Sequence, residues 1–163
     1  MFEFKLSDNT EIHGCFVLQR STRQVVSILF DYFDKADLVK NTLKTATSNI
    51  IPNSIFHVDQ GSQNGAKLTV EQVTNLKMKI SMSRAGTPTD NPHAERFVRT
   101  FKLAVTKKQQ YLTLGQFLEK AEHWINFYNN KRPHESLNNL TPNAYALKTG
   151  FKPVSLNTLF RVY

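Results

Sequence analysis

The pattern of apolar and polar positions marks residues 2–7 and 12–19 as two strands, joined by the turn-forming run Ser7-Asp8-Asn9-Thr10. A third strand follows at residues 24–30, Gln-Val-Val-Ser-Ile-Leu-Phe, so the chain opens as a three-stranded meander. The period then changes. Leu38, Val39, Leu43 and Ala46 recur at helical spacing and predict a helix over 35–46 with Asp34 as its cap. Residues 54–58, Ser-Ile-Phe-His-Val, form a short strand of the buried type that runs into Asp59 and is halted by Gly61. Thr69 with Gln72 makes a capping box for a helix ending near residue 76, and residues 79–82 predict another short strand. Gly86 and Pro88 make 83–90 an expected mobile loop.

The second half of the pattern is helical. Pro92 follows Asn91 at the first position of a long helix reaching about residue 108. A capping box at Thr113 and Gln116 starts a helix to about residue 130. Thr141 caps a last short helix with Pro142 at its first position and Gly150 after its end. Three strands, helix, strand, helix, strand and helices imply an α/β domain: a mixed five-stranded sheet, three strands antiparallel and two parallel, flanked by helices. A length of 163 residues suits one domain, which we assign to residues 1–150, with 151–163 as a C-terminal tail of little pattern.

Composition narrows the setting. With 40% hydrophobic residues the chain can fill a core. No stretch approaches the roughly 20 apolar residues that span a bilayer, and the first residues lack the layout of a secretion signal. The single cysteine, Cys15, excludes an internal disulfide and a multi-cysteine zinc cage. These features point to the cytoplasm. Lys and Arg number 21 against 13 Asp and Glu, a net charge of +8. Such an excess draws a protein toward polyanions, nucleic acid first, although it also serves solubility alone.

The chemistry centres on two acids. Asp59 lies where a strand ends, and in open α/β sheets ligands gather beyond the carboxyl ends of strands. Glu95 lies in the first turn of the long helix, 35 residues intervening. A carboxylate there also suits the helix dipole. Glu95, Arg99 and Lys102 share one helix face, beside an apolar stripe of Ala94, Phe97, Val98, Phe101 and Val105. The acid and the two cations therefore edge a groove, where the acid can hold a metal and the cations phosphate. The plainer alternative is a solvated face with an ordinary Glu95–Arg99 pair.

Three stretches in order carry the strongest signal: His57-Val58-Asp59-Gln60-Gly61-Ser62-Gln63, Ser81-Met82-Ser83-Arg84-Ala85-Gly86 and Asp90-Asn91-Pro92-His93-Ala94-Glu95. With Phe127-Tyr128-Asn129, Arg132-Pro133-His134, Ser136-Leu137 and Thr141-Pro142 they resemble the catalytic core of bacterial insertion-sequence transposases, relatives of retroviral integrases. The resemblance runs from about residue 1 to Leu147. It implies a ribonuclease H-like fold and a DNA transposase of the Asp-Asp-Glu class, cutting and joining phosphodiesters with two magnesium or manganese ions. Asp59 maps to the second catalytic and metal-binding acid and Glu95 to the third, and Lys102 fills the basic position seven after the Glu. Arg84, Arg99, Lys102, Lys107 and Lys108 are the expected DNA contacts, and His57, Gln60 and Asn91 the supporting residues. Implied partners are DNA, both element ends and target, and further copies of the chain or a full-length transposase; no membrane is implied.

One departure qualifies this. Aligning Phe16-Val17-Leu18 with the family's second strand puts its first Asp at or just before Met1, so that acid is expected to be missing. Gln19 stands where many relatives have a noncatalytic Asp. Asp8 is the nearest acidic replacement, but its place in a hairpin turn gives it a local role. The chain is thus expected to be weakly active or inactive. The competing reading is a truncated or domesticated core that grips DNA or a full-length transposase without chemistry. A nuclease acting on RNA–DNA hybrids is disfavoured by the Arg132-Pro133-His134 region. His134 itself reads as a helix-terminus cation, and Trp124 and Tyr128 as core.

Overall fold

Phe2, Phe4 and Leu6 are buried while Glu3 and Lys5 between them are exposed, so the first strand turns one face inward. The turn after it is held by Asp8, whose carboxylate accepts the Thr10 N–H at 2.9 Å, with Asn9 at a left-handed φ of 67° that Asn tolerates. In the computed structural model, which describes residues 1–33, 36–59, 67–84, 91–106 and 113–155, this hairpin pairs β1 (Phe2–Lys5) with β2 (Glu11–Leu18), Phe2 opposite Gly14. Gly14 is needed at this crossing, since a Cβ there would lie 2.5 Å from the Phe2 ring. β3 (Val25–Asp31) flanks β2 on its other side, with a bulge at Val17/Leu18. The sequence reading of an antiparallel meander holds.

α1 (Ala36–Ala46) buries Leu38, Val39, Leu43 and Ala46, the stripe its sequence predicts. Asp34, its expected cap, lies outside the described residues. β4 (Ile55–Val58) and β5 (Lys79–Met82) pair in parallel around α2 (Lys67–Asn75). The helix already includes Lys67, so Thr69 is not a cap. Its side chain is fully buried within the helix, which corrects the expected capping box. α3 (Pro92–Thr106), α4 (Leu114–Asn130) and α5 (Pro142–Lys148) follow. Thr113 with Gln116 forms the predicted capping box and Thr141 caps α5. Gly150 lies past its end at φ 82°.

The elements stack in layers around two apolar cores. On one side Leu29, Leu38, Val39, Leu43 and Val73 pack together. On the other, α3 and α4 lay phenylalanines on the meander: Phe4 stacks on Phe117 at 3.8 Å, Phe2 meets Phe101 at 5.3 Å and Phe16 meets Phe97 at 4.5 Å. The fold class is the expected one, three antiparallel and two parallel strands flanked by helices. Among the described residues, though, the strands form two ladders, β1-β2-β3 and β4-β5, rather than one continuous sheet. The four residues of β1 cover only the first half of the eight-residue β2, and no strand pairing bridges from there to β4.

Two buried carboxamides lock the helices to β3. Asn129 accepts the Val25 N–H at 3.0 Å and donates to the Val25 carbonyl at 2.9 Å, closing a strand edge that a neighbouring strand would otherwise serve. Asn143 accepts from Gln24 at 2.8 Å and from the Val154 N–H at 2.9 Å, which ties residues 152–154 into the core. Asn129→Ala leaves two buried backbone groups without partners and is expected to lower stability by about 2–4 kcal/mol, read as a lower urea midpoint with an unchanged denaturant slope.

Candidate active site

β4 carries its last residue, Val58, into the core and releases the chain at Asp59, which is exposed. The Ser83 N–H donates to the Val58 carbonyl at 2.8 Å, so the ends of the two parallel strands stay together, and Arg84 follows, also exposed. His57 bridges these strands through its ring: Nδ1 lies 3.0 Å from the Ser81 hydroxyl and Nε2 3.1 Å from that of Ser83. Both ring nitrogens are thereby committed to hydroxyls, and His57 acts as a brace for the strand ends beside Asp59.

Glu95 lines the same cleft from another element. The Asn91 carbonyl accepts the Glu95 N–H at 3.2 Å in the first turn of α3. Phe97, Phe101 and Val105 are buried on the core side of the helix, leaving Glu95 and Arg99 exposed. Asp59 and Glu95 both line one cleft of about 1360 Å³, together with His57, Asn91, Arg84 and Arg99. Among the described residues the ion pairs are Lys5–Glu11 and Lys67–Glu71, so Glu95 and Arg99 do not form the plain helix pair. Lys102 is half-buried on α3 and does not line the cleft. Gln60, Lys107, Lys108 and most of the 83–90 loop lie outside the described residues.

The fold adds residues that the sequence reading passed over. Arg20 and Arg23, in the turn between β2 and β3, line the cleft as well. Partial burial, then the charges of Arg23, Arg20 and Arg96, lower the basicity of His93 at the same mouth. Four arginines, Arg20, Arg23, Arg84 and Arg99, thus line the same cleft as the two acids. The only sequence signal of the first two was an Arg at each side of Ser21-Thr22, which marks a turn but not its neighbours. Among the described residues no group of three or more His, Cys, Asp or Glu is placed to hold a metal. The two carboxylates that line the cleft offer hard oxygen donors, a chemistry that suits magnesium or manganese rather than a soft metal.

Comparison with known proteins agrees with this arrangement. Residues 76–142 match the family model described as "Integrase core domain". That match covers less than half of the chain and marks this stretch as similar to an integrase core. Its curated relatives include a probable transposase for insertion sequence element IS1353 of Shigella flexneri, 27% identical over 91% of this chain and 31% of the relative. Another is the transposase for insertion sequence element IS904 of Lactococcus lactis, 30% identical over 58% of this chain and 38% of the relative. The chain therefore spans about a third of the length of these two relatives. Among solved structures, the catalytic core domain of BIV integrase superposes with a TM-score of 0.62 at 16% identity, covering 92% of this chain and 93% of that one. The simian T-cell lymphotropic virus intasome in complex with PP2A regulatory subunit B56 gamma has a chain that superposes with a TM-score of 0.70 at 17% identity, over 82% of this chain and 47% of that one. At these identities the likeness shows the fold, which is ribonuclease H-like as expected.

The Arg132-Pro133-His134 segment corrects one expectation. His134 packs edge-on against Tyr128 at 4.9 Å, and the Arg132 guanidinium lies over the same ring at 5.6 Å. Burial first, then the charges of Arg132 and Arg23, push the His134 pKa down to about 4. It is a neutral imidazole at neutral pH, not a helix-terminus cation. Burial likewise raises the Tyr128 phenol to about 12. Because the folded-state pKa of His134 lies below its unfolded value, the unfolded chain binds the proton first. Stability is held above about pH 6.5 and lost as pH falls from there toward about 4. His134→Gln is expected to flatten this part of the stability profile, measured as urea midpoints at pH 7 and pH 4.5.

Proposed function

We propose that this chain is the catalytic-core portion of a DNA transposase, cutting and joining phosphodiester bonds at element ends and target DNA. What supports the reading is that Asp59, from the end of β4, and Glu95, from the first turn of α3, line one cleft that arginines also line. Asp59 and Glu95 would hold magnesium or manganese, and the ion supplies activation of a water or DNA hydroxyl and charge stabilisation on the departing oxygen. Arg84 and Arg99 bind and orient phosphates at the mouth, with Lys102, Lys107 and Lys108 further along α3 and beyond. His57 and Asn91 keep the two acids in place, and Gln60 belongs with them by its position after Asp59. DNA is the partner class, further copies of the chain or a full-length transposase the assembly partners, and the cytoplasm, on the nucleoid, the setting. No described helix is long and apolar enough to cross a membrane. The core unit is residues 1–150 together with residues 152–154, which Gln24 and Asn143 hold against it.

A second reading has one observation in its favour. Only two acids, not three, meet at the cleft among the described residues. A core with fewer acids binds its ions weakly and grips DNA, or a full-length transposase, without chemistry.

A strand-transfer and nicking assay with element-end DNA and magnesium tests the reading. The wild-type chain is expected to give weak but measurable product that Asp59→Asn and Glu95→Gln each reduce at least about a hundredfold, while their DNA affinity stays within a few-fold. Activity that survives both substitutions overturns it. DNA binding indifferent to chelator, with no product at all, establishes the second reading instead. In the same DNA titrations, Arg84→Ala and Arg99→Ala are each expected to reduce the slope of log affinity against log salt by about 1.

A further inference from the structure

A second basic region lies beside the cleft, on the α4 side of α3. An α-helix advances about 100° per residue. Arg96 therefore stands between the face that Glu95 turns to the cleft and the face where Phe97 meets Trp124 and Tyr128 of α4. Arg20 and Arg23 come to the same corner from the turn between β2 and β3. That turn is firmly closed: the Gln19 N–H donates to the Gln24 carbonyl at 2.9 Å, and the Arg23 guanidinium donates to the Arg20 carbonyl. Arg23 is held there at a left-handed φ of 59°, which a non-glycine residue adopts only at a cost. Arg132 arrives from the residues after α4, with its guanidinium over the Tyr128 ring at 5.6 Å and 3.5 Å from His134 Nε2.

These cations feel one another. Burial is the first cause that lowers the basicity of the Arg23 guanidinium; the Tyr128 phenol opposes it, and the charges of Arg20 and Arg96 add to it. Arg132 and Arg23 act together on His134. Tyr128 supplies no compensating negative charge at neutral pH, since its phenol is raised to about 12. Among the described residues the ion pairs lie elsewhere, at Lys5–Glu11 and Lys67–Glu71. Packing thus gathers four guanidiniums from three segments with no carboxylate paired to any of them among the described residues, an arrangement that an oxyanion stabilises by charge-assisted hydrogen bonds. Arg20 and Arg23 line the cleft, whereas Arg96 and Arg132 do not. The corner therefore starts inside the cleft and continues outside it, with Arg20 and Arg96 exposed. A row of cations running from a cleft to open surface suits successive phosphates of one chain better than a single compact anion.

We propose that Arg20, Arg23, Arg96 and Arg132 form a phosphate track, distinct from the Glu95–Arg99–Lys102 face of α3, that holds the sugar–phosphate backbone of a nucleic acid where it leaves the cleft. Arg23, bonded back to its own turn, and Arg132, laid on Tyr128, are the fixed members and lose little freedom on binding. Arg20 and Arg96 are the exposed members that close on the backbone. The inference rests on the proposed function for the nature of the polyanion, and it adds a line of contact that needs no divalent ion.

The probe is a short fluorescent DNA duplex, titrated by anisotropy with the full chain in buffer free of divalent ions. Arg20→Gln and Arg96→Gln, both at exposed positions, are each expected to reduce the slope of log affinity against log salt by about 1, and together by about 2, without moving the thermal unfolding midpoint. Lys44→Gln on α1 and Lys120→Gln on α4, exposed as well, are expected to leave the slope unchanged. A second measurement reads position directly. Cys15 is the single cysteine and is buried, so Ser21→Cys adds an exposed thiol within the β2–β3 turn. An iron–EDTA group tethered there is expected to cut the bound DNA backbone, and the same group on Lys44→Cys is expected not to. Slopes unchanged by the arginine substitutions, equal losses from the two lysine substitutions, or no cutting from the Ser21 position overturn the inference. So does a poly-glutamate peptide of equal charge that binds as tightly as the duplex, which assigns the corner to an acidic protein partner. Saturable binding of inorganic phosphate that Arg20→Gln abolishes, with the DNA slope untouched, assigns it to a free anion and overturns it too. Because no step needs metal or product, failure of the track leaves the catalytic reading standing, and absence of strand transfer leaves the track standing.

Discussion

The packing of α3 against the meander is the constraint from which the site follows. Phe97 and Phe101 are buried to within 2% and 1%, against Phe16 and Phe2 respectively. Each ring removes a large apolar area from water, on the order of 2–3 kcal/mol for each side chain fully buried. The 3.6-residue period then leaves no freedom over Glu95. With Phe97, Phe101 and Val105 inward, the carboxylate two residues before Phe97 must face the cleft, and Arg99 must stand beside it. Interactions of apolar residues with no chemistry of their own therefore fix where the chemistry can be.

The other half of the site depends on the parallel pair. β4 and β5 run together to Val58 and Met82 in matched register, and the Ser83 N–H carries the ladder one step further. His57 adds a side-chain tie through two serine hydroxyls. Asp59 is consequently released from the end of a short, braced strand, and Arg20, Arg23, Arg84 and Arg99 line the same cleft as both acids. On the proposed reading, carboxylates and arginines in one cleft would hold a divalent cation at the acids and the phosphodiester backbone at the arginines.

Much of this was legible in the sequence, for identifiable reasons. Strong periodicity and caps at Thr113 and Thr141 gave the later helices nearly to the residue, and the apolar stripe of α3 predicted which face Glu95 would occupy. Thr69 misled because a Ser/Thr–x–x–Gln pattern fits a cap or the interior of a helix equally, and only burial separates them. His134 misled because position after a helix suggests a cation, whereas enclosure by Tyr128 and Arg132 makes the charged form costly. Arg20 and Arg23 were invisible as site residues since their approach to α3 is a tertiary contact. The division into two ladders was invisible too: strand number and direction follow from pattern, but which edges meet depends on how far each strand extends along its neighbour.

Whether Asp59 and Glu95 act on the same ion is decided by a double-mutant cycle on manganese affinity, followed by the paramagnetic relaxation of solvent water. Shared coordination predicts that Asp59→Asn and Glu95→Gln each weaken binding strongly, and that the double variant is little worse than either. The resulting coupling should be at least about 1.4 kcal/mol, a tenfold departure from additivity. Losses that simply add, or manganese affinity untouched by either change, would contradict it.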